Sequence, residues 1–331
     1  MVLKSAVYLI YLRHKPFRPQ VRKMYWMRRL AIILCLALMP QLVEAQTWRG
    51  MRHEVYFGLG ASNFLGDLGG ARGIGSHNIK DLKISATRPS LQAGYKFMIL
   101  PALSVKGQVT WGYLSGDDAK TKNEIRNNRN LSFRSVIGEV AAMAQYYPME
   151  ERIHPRYKIR GVNGNKTFSV MPYFFAGVGV SFFNPKALYN GSWVALQPLH
   201  TEGQGMAGRP DAYKRVTLAF PIGAGLKYLI NKQWAISFEM SLRYTLSDYI
   251  DDVSTSYYHP DQIEAAYGPV AAALSDRSLD PDKGFTGVYT YPNGVTNYFQ
   301  RGDPRWNDAY MFAIFSVHYR INEKTIFIPK F

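Results

Sequence analysis

The chain has 331 residues, a formal net charge of +16 and a single cysteine, which excludes a disulfide-framed fold. Charged residues make up 19%, below the usual quarter, while aromatics are plentiful, with 23 Tyr, 18 Phe and 6 Trp. The positive charge does not mark a nucleic-acid binder, because it is concentrated at one end. Residues 1–45 hold eight Lys or Arg against Glu44 alone, so without them the charge falls from +16 to +9 over 286 residues. No Lys/Arg run of the kind that tracks a phosphate backbone remains.

In chain order, the first element is an export signal. Met27-Arg28-Arg29 leads into an apolar run over 30–39, and Val43-Glu44-Ala45 before Gln46 is a small-residue cleavage site. The apolar run is too short to cross ~30 Å of hydrocarbon as a helix, and a buried N-terminal helix is the alternative. Residues 1–23 are basic, and Met24 or Met27 is the more natural start. Residues 1–45 are therefore assigned to a signal peptide with an over-extended N-terminus, and 46–331 to one domain. Cys35 lies inside the signal, so the mature domain carries no thiol and an oxidising compartment makes no demand on it.

Beyond residue 46 no apolar stretch approaches 18 residues, so a membrane crossing requires a closed barrel of strands. Period-two alternation predicts strands around 53–65, 89–100, 103–114, 132–147, 169–183, 215–230, 234–246 and 308–321. The clearest is 234–246, where Trp234, Ile236, Phe238, Met240, Leu242, Tyr244 and Leu246 oppose Ala235, Ser237, Glu239, Ser241, Arg243 and Thr245. Eight is an even number, as single-chain bacterial barrels have. The expected fold is all-β: an eight-stranded antiparallel up-and-down transmembrane barrel with long extracellular loops, and a soluble β-sandwich is the alternative.

Eight strands leave an interior that side chains fill. The polar faces carry Glu54, Glu139 and Glu239 against Lys96, Lys106, Lys227, Arg243 and Arg320, which predicts an internal ion-pair network. A proton or solute path along these residues is the alternative to a plugged lumen.

The connections at 101–102 and 231–233 are short, as periplasmic turns are. Those at 67–87, 116–130, 184–214 and 248–307 are long. The 148–168 connection is long on the side where turns are short. It holds Arg152, Arg156, Lys158, Arg160 and Lys166 against Glu150 and Glu151, and is either a docking site for a periplasmic partner or an ordinary solvated loop. Asp248, Tyr249, Asp251 and Asp252 stand at the outer end of the seventh strand. The three Asp residues either bond the loop backbone or hold a calcium ion. The 248–307 loop that they open holds nine acids, themselves included, and four bases, with helical character over 261–275.

No catalytic constellation is recognisable. The histidines after the signal are scattered, and Gly-x-Ser-x-Gly, a P-loop and His-Glu-x-x-His are absent. Neither a cofactor nor a small-molecule substrate is expected.

His53-Glu54-Val55 leading to Ser62-Asn63-Phe64-Leu65-Gly66-Asp67, then 247–254, then Asn307-Asp308-Ala309-Tyr310 and the ending Pro329-Lys330-Phe331, resemble a Bacteroidetes outer-membrane barrel family. Its best known member is PorG, of the type IX secretion system. Where that family often has Cys before the final Pro, this chain has Ile328. The resemblance implies a non-enzymatic barrel in the outer membrane, in contact with its lipid and with periplasmic secretion-ring proteins. The alternative is a free-standing surface or adhesion barrel of OmpX-like type. N-terminal sequencing of protein from outer-membrane fractions should begin at Gln46, and recovery of an intact 1–45 segment would overturn the export assignment.

Overall fold

The computed structural model describes residues 51–68, 86–121, 123–149, 170–231, 233–280, 283 and 286–321. The export segment, the basic residues Arg152, Arg156, Lys158 and Arg160, and the ending Pro329-Lys330-Phe331 lie outside the described residues. Alternating side chains build the strands β1 (His53–Leu65), β2 (Arg88–Leu100), β3 (Leu103–Asp117), β4 (Ser132–Tyr146), β5 (Val170–Tyr189), β6 (Ser192–Ala195), β7 (Val216–Leu229), β8 (Trp234–Thr245), β9 (Val288–Thr290), β10 (Thr296–Tyr298) and β11 (Ala309–Ile321).

Eight of these strands close on themselves. β1 to β5, β7, β8 and β11 each pair antiparallel with the next, and β11 returns to β1 from His53↔Ile321 to Leu65↔Ala309. Closure removes the unpaired edge that an open sheet would expose to hydrocarbon. A strand of 13 residues at ~3.3 Å each, tilted near 45°, spans about 30 Å, which matches a bilayer core. Among the described residues, no helix is long and apolar enough to cross a membrane.

Side chains divide by parity. Val55, Phe57 and Leu59 of β1 are exposed outward, while Glu54 and Tyr56 between them are buried inward. Outward aromatics form two belts: Tyr95, Tyr146, Tyr228, Trp234 and Tyr319 near the short turns, and Trp111, Tyr113, Phe220 and Tyr244 near the long loops. Two lumen tyrosines lie flat against glycines of the neighbouring strand. A Cβ on Gly94 would fall 2.4 Å from Tyr56 Cζ, and one on Gly225 would fall 2.4 Å from Tyr173 Cζ. Glycine is what lets those rings fill a narrow lumen.

The structure departs from the sequence reading where long-range pairing extends an element. β3 runs on to Asp117, and β5 continues past 183 to Tyr189. The last four residues of β5 pair with β6 across Asn190-Gly191, whose φ values of 46° and 80° suit a type I′ turn. The connection after β3 holds a helix, α1 (Glu124–Arg129), whose Arg126 amide is capped by the Asn123 side chain. The helical character over 261–275 resolves into two helices, α2 (Pro260–Tyr267) and α3 (Pro269–Ser275). They break at Gly268, which adopts φ 91° before Pro269 opens the second.

Met240 is exposed on the lipid side and Ser241 is buried in the lumen. Met240→Arg should cost roughly 2–4 kcal/mol in equilibrium unfolding from vesicles, whereas Ser241→Arg acts only through crowding of the lumen. A nitroxide label that reports water at 240 and lipid at 241 would reverse the register.

Candidate functional site

The eight charged lumen residues named from the sequence fall into three clusters stacked along the axis. At the short-turn end the Glu54 carboxylate meets Lys96 Nζ at 2.9 Å, Lys227 Nζ at 2.6 Å, Arg320 Nε at 3.3 Å and His318 Nδ1 at 2.6 Å. Lys96 also donates to Tyr147 Oη at 3.0 Å. In the middle Glu239 meets Lys106 Nζ at 2.5 Å and accepts from Gln92 Nε2 at 2.9 Å. Nearer the long loops Glu139 meets Arg243 Nε at 3.2 Å and accepts from Tyr310 Oη at 2.7 Å. All eight are buried.

Above the charges the lumen turns apolar. Phe133, Ile137, Phe183, Phe312 and Ile314 close it, and Ile250 and Val253 press down on them from the loop after β8. Alternation sends these residues inward but does not show that they gather into one apolar layer at the same height.

Ser237, His318 and Glu54 have the connectivity of a serine–histidine–acid triad, with Ser237 Oγ 2.7 Å from His318 Nε2. The geometry does not make a hydrolytic site. All three side chains are buried in a filled lumen, and Glu54 already faces Lys96, Lys227 and Arg320. A nucleophile must be reached by substrate, and Ser237 is 4% exposed.

The second cluster is the cap at the long-loop end. Glu202 accepts from the amides of Ser254 and Thr255 at 2.9 and 3.0 Å and from Thr255 Oγ1 at 2.6 Å, and it pairs with Arg301 at 3.1 Å. Arg301 also donates to the Asp252 carbonyl at 2.6 Å. Arg129 of α1 pairs with Asp118 at 2.7 Å and donates to the carbonyls of Asp67 and Arg301. None of the cap-forming roles of Arg129, Glu202 and Arg301 carries a local signal, since their partners lie far along the chain.

The loop residues named from the sequence serve different neighbours. Asp251 accepts from the amides of Leu68 and Val253 at 3.2 and 3.0 Å. Asp252, at φ 68°, accepts from Thr201 Oγ1 at 2.5 Å and Tyr213 Oη at 2.6 Å. Tyr249 stacks on Tyr213 with ring centroids 4.7 Å apart. Asp251 and Asp252 therefore turn to different partners. No group of three or more His, Cys, Asp or Glu among the described residues is arranged to hold a metal.

Burial pushes the Asp248 carboxyl up to about 8, and the charges of Asp67, Glu202 and Asp303 raise it further. Burial likewise holds Asp251 and Asp308 well above the usual carboxylate range, with the charges of Asp67 and Asp248 adding to it at both. An acid whose folded pKa is raised contributes stability that is complete below its unfolded value of about 4 and lost as pH rises through the folded pKa. For Asp248 that window runs from about 4 to about 8. Proteolytic nicking within 246–308 should therefore be slower at pH 5 than at pH 8, and Asp248→Asn should flatten the difference. Equal nicking rates across that range would contradict the buried-acid account.

No curated protein matches the sequence. In structure the chain is similar to Neisserial surface protein A, at 8% identity over 81% of this chain and 97% of that one, with a TM-score of 0.37. It is similar to Ail, the attachment invasion locus protein of Yersinia pestis, at 10% identity over 82% and 99%, with a TM-score of 0.34. It is also similar to E. coli outer membrane protein W, at 17% identity over 82% and 99%, with a TM-score of 0.30. Residues 27–265 match the family described as Domain of unknown function (DUF6089), and the chain belongs to that family.

Proposed function

We propose that this protein is a non-enzymatic outer-membrane anchor of a secretion apparatus of the type IX kind, holding periplasmic partners at the membrane. The observation that carries the reading is the sealed lumen. Among the described residues, three ion-pair clusters, an apolar layer and a folded cap occupy it, which favours work done at the faces over a solute path or a catalytic cleft.

The pathway rests on the resemblance of 53–67, 247–254 and 307–310 to the barrel family that includes PorG. The docking side rests on topology. β4 ends at Tyr146 and β5 begins at Val170, so the basic 148–168 connection leaves the barrel at the end of the short turns 101–102 and 230–233, the periplasmic end in barrels of this type. Its excess positive charge steers an acidic surface toward it.

A free-standing surface barrel is the second reading. It is favoured by the exposed Tyr289, Tyr291 and Val295 of the β9–β10 hairpin, which stand outside the cap on the external side.

Reversing Arg156, Lys158 and Arg160 to Glu should leave the heat-modifiable gel shift of the barrel unchanged while abolishing co-purification of periplasmic proteins and impairing secretion. A triple variant that folds, keeps its partners and secretes normally would point to the surface-barrel reading. Planar-bilayer recordings of the purified protein should show no stable porin-sized steps.

A further inference from the structure

The lipid-facing surface is almost free of charge. On the eight barrel strands the outward positions carry three charged residues, Asp117, Arg134 and Lys186, at the long-loop ends of the adjacent strands β3, β4 and β5. Asp117 turns to the bend beyond it, where its carboxylate accepts from the Ala119 amide at 3.1 Å.

Arg134 and Lys186 stand directly opposite each other in the β4–β5 ladder. Like charges on one face repel at that spacing, so the pair is unfavourable unless an anion lies over it. A third cation joins them: Arg215 reaches Asn184, two positions below Lys186 on the same face, with Nη1 3.4 Å from Oδ1. Among the described residues, no carboxylate lies within ion-pair distance of Arg134, Lys186 or Arg215. Two other exposed cations on that side, Lys283 and Arg305, do have acid partners, Glu124 and Asp303.

The surroundings are those of a headgroup site. The Arg134 guanidinium lies over the Tyr113 ring at 4.4 Å and near that of Trp193 at 5.8 Å, which holds its plane while leaving its donor edge free. Trp193 and Leu188, opposite each other in the β5–β6 hairpin, are exposed beside it. Directly below, the lipid-facing Val136 and Phe182 continue into the apolar band. The cations thus sit where hydrocarbon ends and headgroup phosphates begin, and they open sideways into the membrane rather than upward to solvent.

We propose that Arg134, Lys186 and Arg215 bind the phosphates of an anionic glycolipid of the outer leaflet, with Tyr113, Trp193 and Leu188 against its sugar and acyl portion. The proposal uses the outer-membrane placement and not the secretion role, so either can fail alone.

Purified full-length protein would be equilibrated with phosphatidylcholine vesicles containing bisphosphorylated lipid A, or the same lipid A after phosphatase treatment. Native mass spectrometry then counts the glycolipid retained per barrel. Wild type should retain about tenfold more of the phosphorylated form. R134Q/K186Q/R215Q should fall to the level of the dephosphorylated lipid, while K283Q/R305Q should match wild type. Equal retention of the two lipids by wild type would overturn the proposal, and so would a folded triple variant that retains as much as wild type. Displacement of the lipid by inorganic phosphate at equal concentration would also overturn it, because the site would then be one for a free anion. If the triple variant fails the heat-modifiable gel shift, the wild-type comparison, which needs no substitution, decides the matter.

Discussion

The interior of this barrel depends on the carboxylate of Glu54. Two of its cations are its own ladder neighbours, since Glu54 is opposite Lys96 on β2 and Arg320 on β11. Lys227 reaches it across the lumen from β7. The same ladder sets Lys96 opposite Lys106, a like-charge pair tolerable only because Glu54 serves one and Glu239 the other. The charges therefore fix register as much as they fill space. Sliding one strand by a single residue would send Lys96 or Glu54 into lipid and leave its partners uncompensated, at a cost on the order of 3–5 kcal/mol per broken buried pair.

The cap is held by a different device, in which arginines grip backbone carbonyls. Arg129 and Arg301 each combine a carboxylate with carbonyls from loops far apart in sequence, so 66–68, 118–129, 201–202, 252–255 and 301 are tied at one place. Around this clasp Asp251 and Asp308 serve as acceptors for the amides of Leu68, Val253 and Ile250. Ile250 and Val253, which flank Asp251 and Asp252 in sequence, are the pegs that enter the lumen. The segment from Asp248 to Ser254 thus turns Asp251 and Asp252 toward donors of the loops and Ile250 and Val253 toward the barrel. A loop that is both acidic and buried needs that division.

The barrel was legible because its constraint is periodic. Lipid on one side and a packed lumen on the other force alternation, and in 234–246 that alternation names the lipid-facing and lumen-facing residues one by one. The charged lumen residues were legible for the same reason, since parity alone sends them inward. What parity does not carry is height along the axis, so the split into a charged lower lumen and an apolar upper one, with Phe312 and Ile314 on the same inward face as His318, was not visible. The cap was less visible still. Glu202 meets Arg301 across 99 positions, and no local pattern encodes such a pair. The Asn190-Gly191 turn did carry a local signal, an Asn-Gly between apolar residues, and it extends β5 to the hairpin that bears Trp193.

Closure also bears on what the loops are free to do. β4 and β5 pair over thirteen positions, from Arg134↔Lys186 to Tyr146↔Phe174, and the pairing does not depend on how many residues join them. Lengthening a connection costs only about 0.6 kcal/mol per doubling, little against a ladder of that extent. A tight turn of the kind that joins β2 to β3 would serve closure as well. Of the twenty-three residues between Tyr146 and Val170, Tyr147 packs into the lumen, and the length of the rest is not dictated by the ladder.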